Sequence, residues 1–306
     1  MRFDVDTQEA ELISSEAGWV DPRYLPTERG GARCMGSAVE LGNVSVTQEI
    51  WQQPVHVDAG IDGRLIGFLV RQDTPAHYRG WGRPFLPNQL GVVTAGLELV
   101  LGKGSCVFGA TLPVRYLRRH AEAVRLNLDE VHLQSGGPVG LSQAQVSALR
   151  GALVASLRTS GSSVAHQEVE SRLLTITCDA LSHPSSARLS TSQRLWLARK
   201  ARDYLEDTLT QPLRLEDLAA VVDSDLRRLQ RAFCDVFGMS PHRYLVSSRL
   251  RLAHRRLLEA NPESSTVTRI ALECGLGHLG RFSVDYRAMF GESPSSTLAS
   301  PDPAGP

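Results

Sequence analysis

The chain has 306 residues, which is more than one hydrophobic core usually organises, so its length predicts about two domains. Hydrophobic residues make up 42% and charged residues 22% of the chain, and the basic and acidic residues balance at 33 each. This composition is typical of globular proteins and argues against a protein that coats nucleic acid indiscriminately. No stretch approaches the roughly 18 uninterrupted apolar residues of a membrane-spanning helix. The acidic start MRFDVDTQEAEL lacks the features of a secretory signal, so we expect a cytoplasmic protein.

The N-terminal half is predicted to be mainly β structure from about residue 44 to residue 133, with the clearest strands before residue 117. The alternating segment VSVTQEI is followed by the short apolar runs LIGFLV, LGVVT, LELVL and SCVFG, which are separated by Gly, Pro, Asp or Asn. Many short strands with such turns favour a barrel or a sandwich. The preceding forty or so residues, which include AGWVDPRYLPTERGG, are predicted to be an irregular lead-in.

Two helices are predicted between residues 141 and 181, after the turn-forming stretch QSGGPVG (134–140). The first has apolar residues at the helical spacing i, i+3, i+7 and i+11, namely Val146, Leu149, Leu153 and Leu157. The second spans Val169, Leu173, Ile176 and Leu181. The Ser- and Pro-rich stretch SHPSSARLSTS (182–192) is interpreted as a linker. The chain is therefore divided into an N-terminal domain (1–181), a linker (182–192) and an all-helical C-terminal domain (193–298).

The phrase F-G-x-S-P occurs twice, as FGMSP at 237–241 and FGESP at 290–294. Apolar residues precede both copies at the same offsets, namely Leu226, Leu229, Phe233, Val236 and Phe237, and Leu279, Phe282, Tyr286, Met289 and Phe290. A shorter helix and a tight turn come before each of these stripes, with the segments LEDLAAVV (215–222) and VTRIALEC (267–274). The repeat predicts two helix-turn-helix units, and each F-G-x-S-P phrase is predicted to end the second helix of its unit.

Helix-turn-helix units bind DNA by placing the second helix in the major groove. The faces opposite the apolar stripes supply the candidate DNA-binding residues, which are Ser224, Arg227, Arg228 and Arg231 in the first unit and His278, Gly280, Arg281 and Val284 in the second. Between residues 226 and 256, eight arginines stand against one acidic residue, Asp235. We expect the first recognition helix to provide most of the electrostatic affinity and the second to provide mainly fit.

A long helix is predicted between the two units, in the segment HRYLVSSRLRLAHRRLLEAN. Its roughly 18 residues would span about 27 Å. This length suits two recognition helices held near one turn of DNA apart, which is about 34 Å. One monomer is therefore expected to reach two adjacent major-groove segments.

These segments resemble the AraC/XylS family of transcriptional regulators over about residues 194–298. The resemblance is carried by DLAAVVDSDLRRLQRAFCDVFGMSPHRYL and by IALECGLGHLGRFSVDYRAMFGESP, which is close to the family signature I-A-x-x-x-G-F followed by F and F-G-x-S-P. The sequence departs from the family at Asp223, where a glycine is usual, at Ser224, where a buried valine is usual, and at Leu276, where phenylalanine is usual. Asp225 is still expected to cap the first recognition helix.

The resemblance implies an α+β multidomain protein, in which a cupin-like β-barrel and two helices precede the double helix-turn-helix domain. It implies operator DNA and RNA polymerase as partners, a homodimer, and an activator whose N-terminal domain binds a small effector or dimerises. The alternative is a DNA-binding regulator without an effector, whose N-terminal domain only dimerises. Activation itself is implied by the family alone.

No metal, cofactor or enzymatic activity is expected. His56 has no histidine two residues on, as a metal-binding cupin would, and the five cysteines include no C-x-x-C pair. A catalytic cupin fused to a DNA-binding module, or a DNA-repair methyl acceptor, would need such ligands. The candidate effector-binding residues of the barrel are Trp51, Phe68, Arg71, His77, Tyr78 and Trp81, although packing in the core or in loops is the more common role for any single one of them. Arg71 directly follows LIGFLV and is the candidate partner of an acidic ligand.

Overall fold

The computed structural model describes residues 2–28, 30–74, 76–128, 130–158, 163–182 and 193–299. The chain divides into two compact units. The first unit comprises Met1–Tyr24 and Arg33–Ser190, and the second comprises Leu25–Ala32 and Thr191–Pro306. Ser182 is the last residue of a helix, and the other residues of the predicted linker (183–192) lie outside the described residues.

Twelve strands are found among the described residues, in two sheets. They are β1 (Arg2–Asp6), β2 (Trp19–Pro26), β3 (Arg33–Leu41), β4 (Val44–Trp51), β5 (Val55–Ile61), β6 (Leu65–Arg71), β7 (Tyr78–Gly80), β8 (Arg83–Pro84), β9 (Gln89–Val93), β10 (Gly96–Leu101), β11 (Ser105–Pro113) and β12 (Gly137–Gly140). One sheet has the order β1-β3-β4-β11-β6-β9-β12, and the other has the order β2-β5-β10-β7-β8. The β3–β4, β4–β11, β11–β6 and β6–β9 pairs are antiparallel.

The two faces of the seven-stranded sheet have different partners, because side chains alternate along each strand. In β4, Val46 and Ile50 pack into the main core with the helices, whereas Thr47 and Glu49 line a small cavity that the five-stranded sheet closes from the other side. The helices of this unit are α1 (Thr7–Glu16), α2 (Val114–Ala123), α3 (Glu130–Ser135), α4 (Gln143–Arg158) and α5 (Ser163–Ser182). The predicted helices between residues 141 and 181 are therefore confirmed as α4 and α5.

Three parts of the N-terminal half differ from the prediction. The lead-in predicted to be irregular contains β1, α1, β2 and β3, and β1 pairs in register with β3. The segment predicted to be β structure up to residue 133 contains α2 and most of α3, because Pro113 precedes a run in which Leu117 and Ala121 are buried at helical spacing. The turn-forming stretch at 134–140 contains β12, which pairs with β9 through its main chain and so has no side-chain pattern to reveal it.

Both sheets end in edge strands among the described residues, β1 and β12 in one and β2 and β8 in the other. The strands form two facing sheets around a cavity, and no hydrogen-bonded ladder between these strands closes them into a single barrel. A sheet-rich unit followed by helices is thus present, while its assignment as a cupin-like barrel stays a prediction.

The second unit is helical, as predicted. Its helices are α6 (Gln193–Asp207), α7 (Leu215–Val221), α8 (Leu226–Phe237), α9 (Pro241–Glu259), α10 (Val267–Glu273), α11 (Leu279–Phe290) and α12 (Pro294–Ala299). Their apolar side chains form two separate clusters. The first joins α6, α7, α8 and the start of α9, and the second joins the rest of α9 with α10, α11 and α12.

The F-G-x-S-P phrases end one helix and begin the next. Gly238 and Gly291 have φ values of 70° and 80°, and each donates its main-chain N–H to the helix that it closes. Left-handed φ values suit glycine, which has no Cβ to clash. Ser240 then caps α9 by accepting a hydrogen bond from the N–H of Arg243, with Pro241 as the first helical residue. The predicted stop signal is confirmed, and it is also a start signal.

Among the described residues, no helix has both the length and the apolar character needed to cross a membrane.

Candidate nucleic-acid interface

The first helix-turn-helix unit consists of α7, the turn 222–225 and α8. Asp223 has a φ of 52°, which is the left-handed conformation that a glycine would adopt without strain. Asp225 accepts a 2.8 Å hydrogen bond from the N–H of Arg228, so its predicted role as the cap of α8 is confirmed. The unit therefore keeps the turn geometry with aspartate in place of glycine.

The second unit consists of α10, the turn 274–278 and α11, and its turn is one residue longer than that of the first unit. Gly275 has a φ of 75° and follows the last turn of α10. Leu276, which stands where the family has phenylalanine, is buried in the second apolar cluster. His278 precedes α11 without a side-chain cap, so this recognition helix starts without a hydrogen bond like the one that the Asp225 carboxylate accepts from the first turn of α8.

Each recognition helix buries one face. In α8, Leu229, Phe233, Val236 and Phe237 are buried against the first cluster. In α11, Phe282 and Tyr286 are buried, Met289 and Phe290 are partly buried, and Leu279 is exposed at the start of the helix. The repeated apolar offsets are thus core positions, with Leu279 as the exception.

The candidate DNA-binding residues lie on the opposite faces. Arg227, Arg228 and Arg231 are exposed on α8, and Ser224 is half-buried in the preceding turn, where its hydroxyl donates to the carbonyl of Asp225 at 3.3 Å. His278, Gly280 and Arg281 are exposed, and 68% of Val284 is accessible. The structure therefore brings each set together at the start and on the outer side of its recognition helix.

Two further features of these faces were missed from the sequence. Arg281 is paired with Asp285 one turn further on, with 3.5 Å between Nε and Oδ2. Cys234 is the exposed member of the five cysteines, and its spacing from Arg227 and Arg231 (i, i+4, i+7) places it on the same stripe of α8. Helical spacing alone would have found both residues. Burial and then the nearby Asp235 raise the pKa of the Cys234 thiol.

A buried polar chain fixes α11 in its core. Nδ1 of His254 lies 2.5 Å from the hydroxyl of Tyr286, which donates to Thr297 at 2.8 Å, and Thr297 donates to Glu292 at 2.5 Å. His254 also stacks on Phe290 with 4.2 Å between ring centroids. Burial raises the pKa of Tyr286 well above its usual range. This chain ties α9, α11 and α12 together, and it depends on residues far apart in sequence.

The six candidate effector-binding residues do not line one cavity. Phe68 packs in the core between the seven-stranded sheet and the helices, and His77 is exposed. Trp51 is buried and packs on Tyr24, with 4.8 Å between ring centroids. Trp81 packs edge-on against Phe85 at 5.6 Å.

Arg71 is used by the protein itself. Its guanidinium lies 3.9 Å from the ring centroid of Tyr78 and donates to the carbonyl oxygens of Gln72, Thr74 and Phe85. Burial lowers the pKa of Arg71. In this arrangement the guanidinium hydrogen bonds are made to the main chain, and Tyr78 in turn bonds to the main chain of Cys106.

The cavity between the two sheets contains a carboxylate that sequence reasoning missed. Oε1 of Glu49 accepts from the hydroxyl of Tyr24 at 3.0 Å, and Oε2 accepts from Nε1 of Trp51 at 3.0 Å. Ser14 lies 2.7 Å from the Tyr24 hydroxyl. Burial raises the pKa of Glu49, although these hydrogen bonds oppose the shift. The alternation of VSVTQEIW (44–51), which puts Thr47, Glu49 and Trp51 on one face, was the available signal.

This cavity has a volume of about 30 Å³, which leaves room for about one water molecule. No group of three or more His, Cys, Asp or Glu side chains that could hold a metal ion is found in the part of the chain that the structure describes.

Known proteins match the C-terminal, helical unit, which contains both helix-turn-helix units. A family model described as a helix-turn-helix domain matches residues 218–300. The probable thc operon regulatory protein of Rhodococcus erythropolis is 41% identical over 102 residues, which are 33% of this chain and 31% of the relative. The XylDLEGF operon transcriptional activator 3 of Pseudomonas putida is 38% identical over 95 residues, which are 31% of this chain and 29% of the relative. Over the matched residues, the C-terminal part of the chain is similar to regulators of the AraC/XylS family.

The family model covers residues in the C-terminal part of the chain, and the aligned segments span about a third of the length of these curated relatives. A solved structure described as a probable AraC family transcriptional regulator from Rhodopseudomonas palustris is 38% identical, with a TM-score of 0.32, over 34% of this chain and 94% of that chain. The AraC/XylS family is one of transcriptional regulators that carry a helix-turn-helix domain. The matched segment includes both turns and both recognition helices described above.

Proposed function

We propose that this protein is a sequence-specific DNA-binding transcriptional regulator that reads two adjacent major-groove segments with α8 and α11. The observation that carries the proposal is the pair of helix-turn-helix units on one continuous helix, each with an exposed polar face on its second helix. α9 has 19 residues and so is about 28 Å long. That length is close to one turn of DNA, which is about 34 Å.

The two recognition helices have different roles in this proposal. On α8, the arginines at 227, 228 and 231 bind guanine edges or phosphates. On α11, Gly280 allows close approach of the main chain, and Val284 contacts a thymine methyl group. Affinity for DNA therefore comes mainly from the first helix-turn-helix unit, and the second helix-turn-helix unit adds shape complementarity.

The protein acts in the cytoplasm as a homodimer that activates transcription by RNA polymerase. Activation follows the XylDLEGF relative, which is named as an activator. Activation, RNA polymerase and the homodimer are the parts of the proposal that rest on likeness alone. The N-terminal, sheet-rich unit senses a small molecule. Binding of that molecule changes the orientation or the oligomeric state of the DNA-binding units.

A second candidate function is that of a DNA-binding regulator whose N-terminal, sheet-rich unit only dimerises. The small volume of the cavity between the sheets favours it, because an effector bound there would have to push the sheets apart. A thermal-shift screen of the full chain with small acids, amines and sugars separates the two, since a ligand that binds only the folded state raises its stability. A reproducible shift supports the sensor, and a chain that dimerises without any shift supports the second candidate.

The DNA-binding proposal is tested by selection of binding sequences. The full-length protein is incubated with a pool of randomised duplexes at physiological salt, and the enriched sequences are read. We expect two short blocks centred about 10–10.5 base pairs apart for each protomer. Salt-sensitive binding without any enriched sequence would contradict specific reading, because phosphate contacts alone give binding that does not depend on sequence.

A further inference from the structure

One arginine of α9 joins the two helix-turn-helix units. Arg249 donates from Nε to the carbonyl of Leu209 at 2.7 Å and from Nη2 to the carbonyl of Gln211 at 2.6 Å. Its third nitrogen, Nη1, donates to the carbonyl of Gly275 at 3.0 Å. Leu209 and Gln211 belong to the loop between α6 and α7 in the first unit, and Gly275 belongs to the turn of the second unit.

This side chain lies where the two apolar cores meet on α9. Leu245 belongs to the cluster of the first unit, and Leu250 belongs to the cluster of the second unit. Because the clusters are separate, each unit is stabilised by its own core, and the angle between the units depends on α9 and on contacts that cross from one unit to the other. Arg249 makes such a contact in both directions with a single rigid group.

The turn of the second unit is shaped for this contact. A Cβ atom on Gly275 would lie 2.9 Å from Cζ and 3.0 Å from Nε of Arg249. The φ of 75° already favours glycine at this position, and the close approach of the guanidinium is a second, independent reason for it. Burial lowers the pKa of Arg249, and three directed hydrogen bonds offset the cost of desolvating its charge.

We propose that Arg249 is a positioning residue that sets the orientation of α11 relative to α8, and thereby the spacing of the two DNA blocks that one protomer reads. The inference rests on the proposed function where it concerns DNA, while the orientation of the two helices is a property of the protein alone. Arg249 touches no DNA in this proposal. It acts through the loop of residues 208–214 and the turn of residues 274–278.

The first experiment measures the orientation without DNA. Nitroxide labels are attached to the native Cys234 on α8 and to a cysteine introduced by Ser283→Cys on α11, both at exposed positions, and the distance distribution is measured by pulsed electron paramagnetic resonance. Arg249→Lys keeps the charge and an alkyl stem, but its N–H donors all lie on one nitrogen, so it cannot reproduce the hydrogen bonds that Nε, Nη1 and Nη2 make to three separate carbonyls. We expect the distribution to broaden roughly twofold or to split, because a joint without fixed contacts populates several orientations. The matched control is Arg255→Lys, the same change at an exposed position of the same helix.

The second experiment measures the spacing of the DNA blocks. The selected two-block duplex is compared with versions that have one base pair added or removed between the blocks. The wild type is expected to lose roughly tenfold in affinity for each displaced base pair, which is the loss of about one specific base contact. Arg249→Lys is expected to bind all spacings within about threefold of one another, since a mobile joint tolerates displacement. Arg255→Lys should keep the spacing preference of the wild type.

The outcomes are distinguishable. An Arg249→Lys protein with the distance distribution and spacing preference of the wild type would overturn the inference. So would a variant that loses affinity equally at all spacings with an unchanged distance distribution, because Arg249 would then support affinity and not position. If the wild type shows a narrow distance distribution but no spacing preference, the two-block reading fails, and the DNA part of the inference fails with it. Circular dichroism and thermal unfolding of each variant verify that both units remain folded.

Discussion

Nε of Arg281 lies 3.5 Å from Oδ2 of Asp285, so a cation on the exposed face of α11 is paired within its own helix. The side chain of Arg281 is 67% exposed and that of Asp285 is 21% exposed. An ion pair this accessible contributes little to folding. Its larger effect is on the charge of the face, because the carboxylate opposes the approach of a phosphate backbone.

The change Asp285→Asn should therefore strengthen binding to duplexes of any sequence, by about threefold at physiological salt. The gain should shrink as salt is raised, and fluorescence anisotropy over a salt series measures it. Glu259→Gln, at the end of α9, removes the same charge away from the recognition helices and is the control. Equal effects of the two changes would mean that α11 is not near the DNA backbone.

The exposed arginines of α8 should carry sequence-specific affinity. Arg231→Ala, and separately Arg228→Ala, should each weaken binding to the selected site by about 1–3 kcal/mol if the arginine reads a base. Both positions are exposed, so the fold should persist. Gel-shift titrations with selected and scrambled duplexes measure the loss of discrimination between sequences. The control is Arg119→Ala, at an exposed position in the N-terminal, sheet-rich unit. Unchanged affinity of both variants would rule out the proposed placement of α8.

Val284 should lie in the groove. It is 68% exposed, so Val284→Asp removes no core contact and should leave the unfolding temperature unchanged. A carboxylate at this position would face the phosphates and the base edges, and we expect binding to the selected site to be abolished. Val284→Thr keeps the shape of the side chain and should bind nearly as well as the wild type. Retained binding by Val284→Asp would show that α11 does not enter the groove.

Cys234 offers a footprint that needs no substitution. It is exposed on the same stripe of α8 as Arg227 and Arg231, and the other four cysteines are buried. Specific DNA should therefore protect it from alkylation by a maleimide, measured by mass spectrometry near pH 8 because burial and Asp235 raise the pKa of its thiol. A duplex with scrambled blocks should protect it less at the same concentration. Alkylation at an unchanged rate in the specific complex would place the DNA elsewhere.

Glu49 should make the stability of the N-terminal, sheet-rich unit depend on pH. Burial raises the pKa of this carboxyl in the folded state, so the folded protein holds the proton more tightly than the unfolded chain does. Its contribution is then present below the ordinary pKa and is lost as pH rises through the folded-state pKa. As pH rises above the ordinary pKa of a glutamate carboxyl, the unfolding temperature of the wild type should fall relative to that of Glu49→Gln.

Differential scanning calorimetry of the full chain measures this difference. Glu40→Gln, at an exposed position of β3, is the control and should follow the wild type. Parallel pH profiles for the wild type and Glu49→Gln would mean that Glu49 is ionised equally in the folded and unfolded states.

The helical unit could be predicted almost completely from the sequence, and the β unit only in part. The apolar stripes of α8 and α11, the capping residue Asp225 and the glycines that end both helices are local features, visible within one or two helical turns. The N-terminal, sheet-rich unit was harder to predict. β12 has no side-chain pattern, and α1 and β1 lie in a segment that looked irregular, because their pairing with distant strands decides their conformation.

By itself, the sequence determined that the chain carries two helix-turn-helix units, where their recognition helices lie, and which residues face outward, because helical periodicity and turn chemistry act over short distances. Only the tertiary structure decided which polar groups the fold uses. Arg71, a sequence candidate for ligand binding, is held by main-chain carbonyls, while Arg249 links segments 40 and 26 residues away. Hydrogen bonds between distant residues depend on how the helices and strands pack. The sequence of one segment therefore does not predict which distant residues its polar groups will bond to.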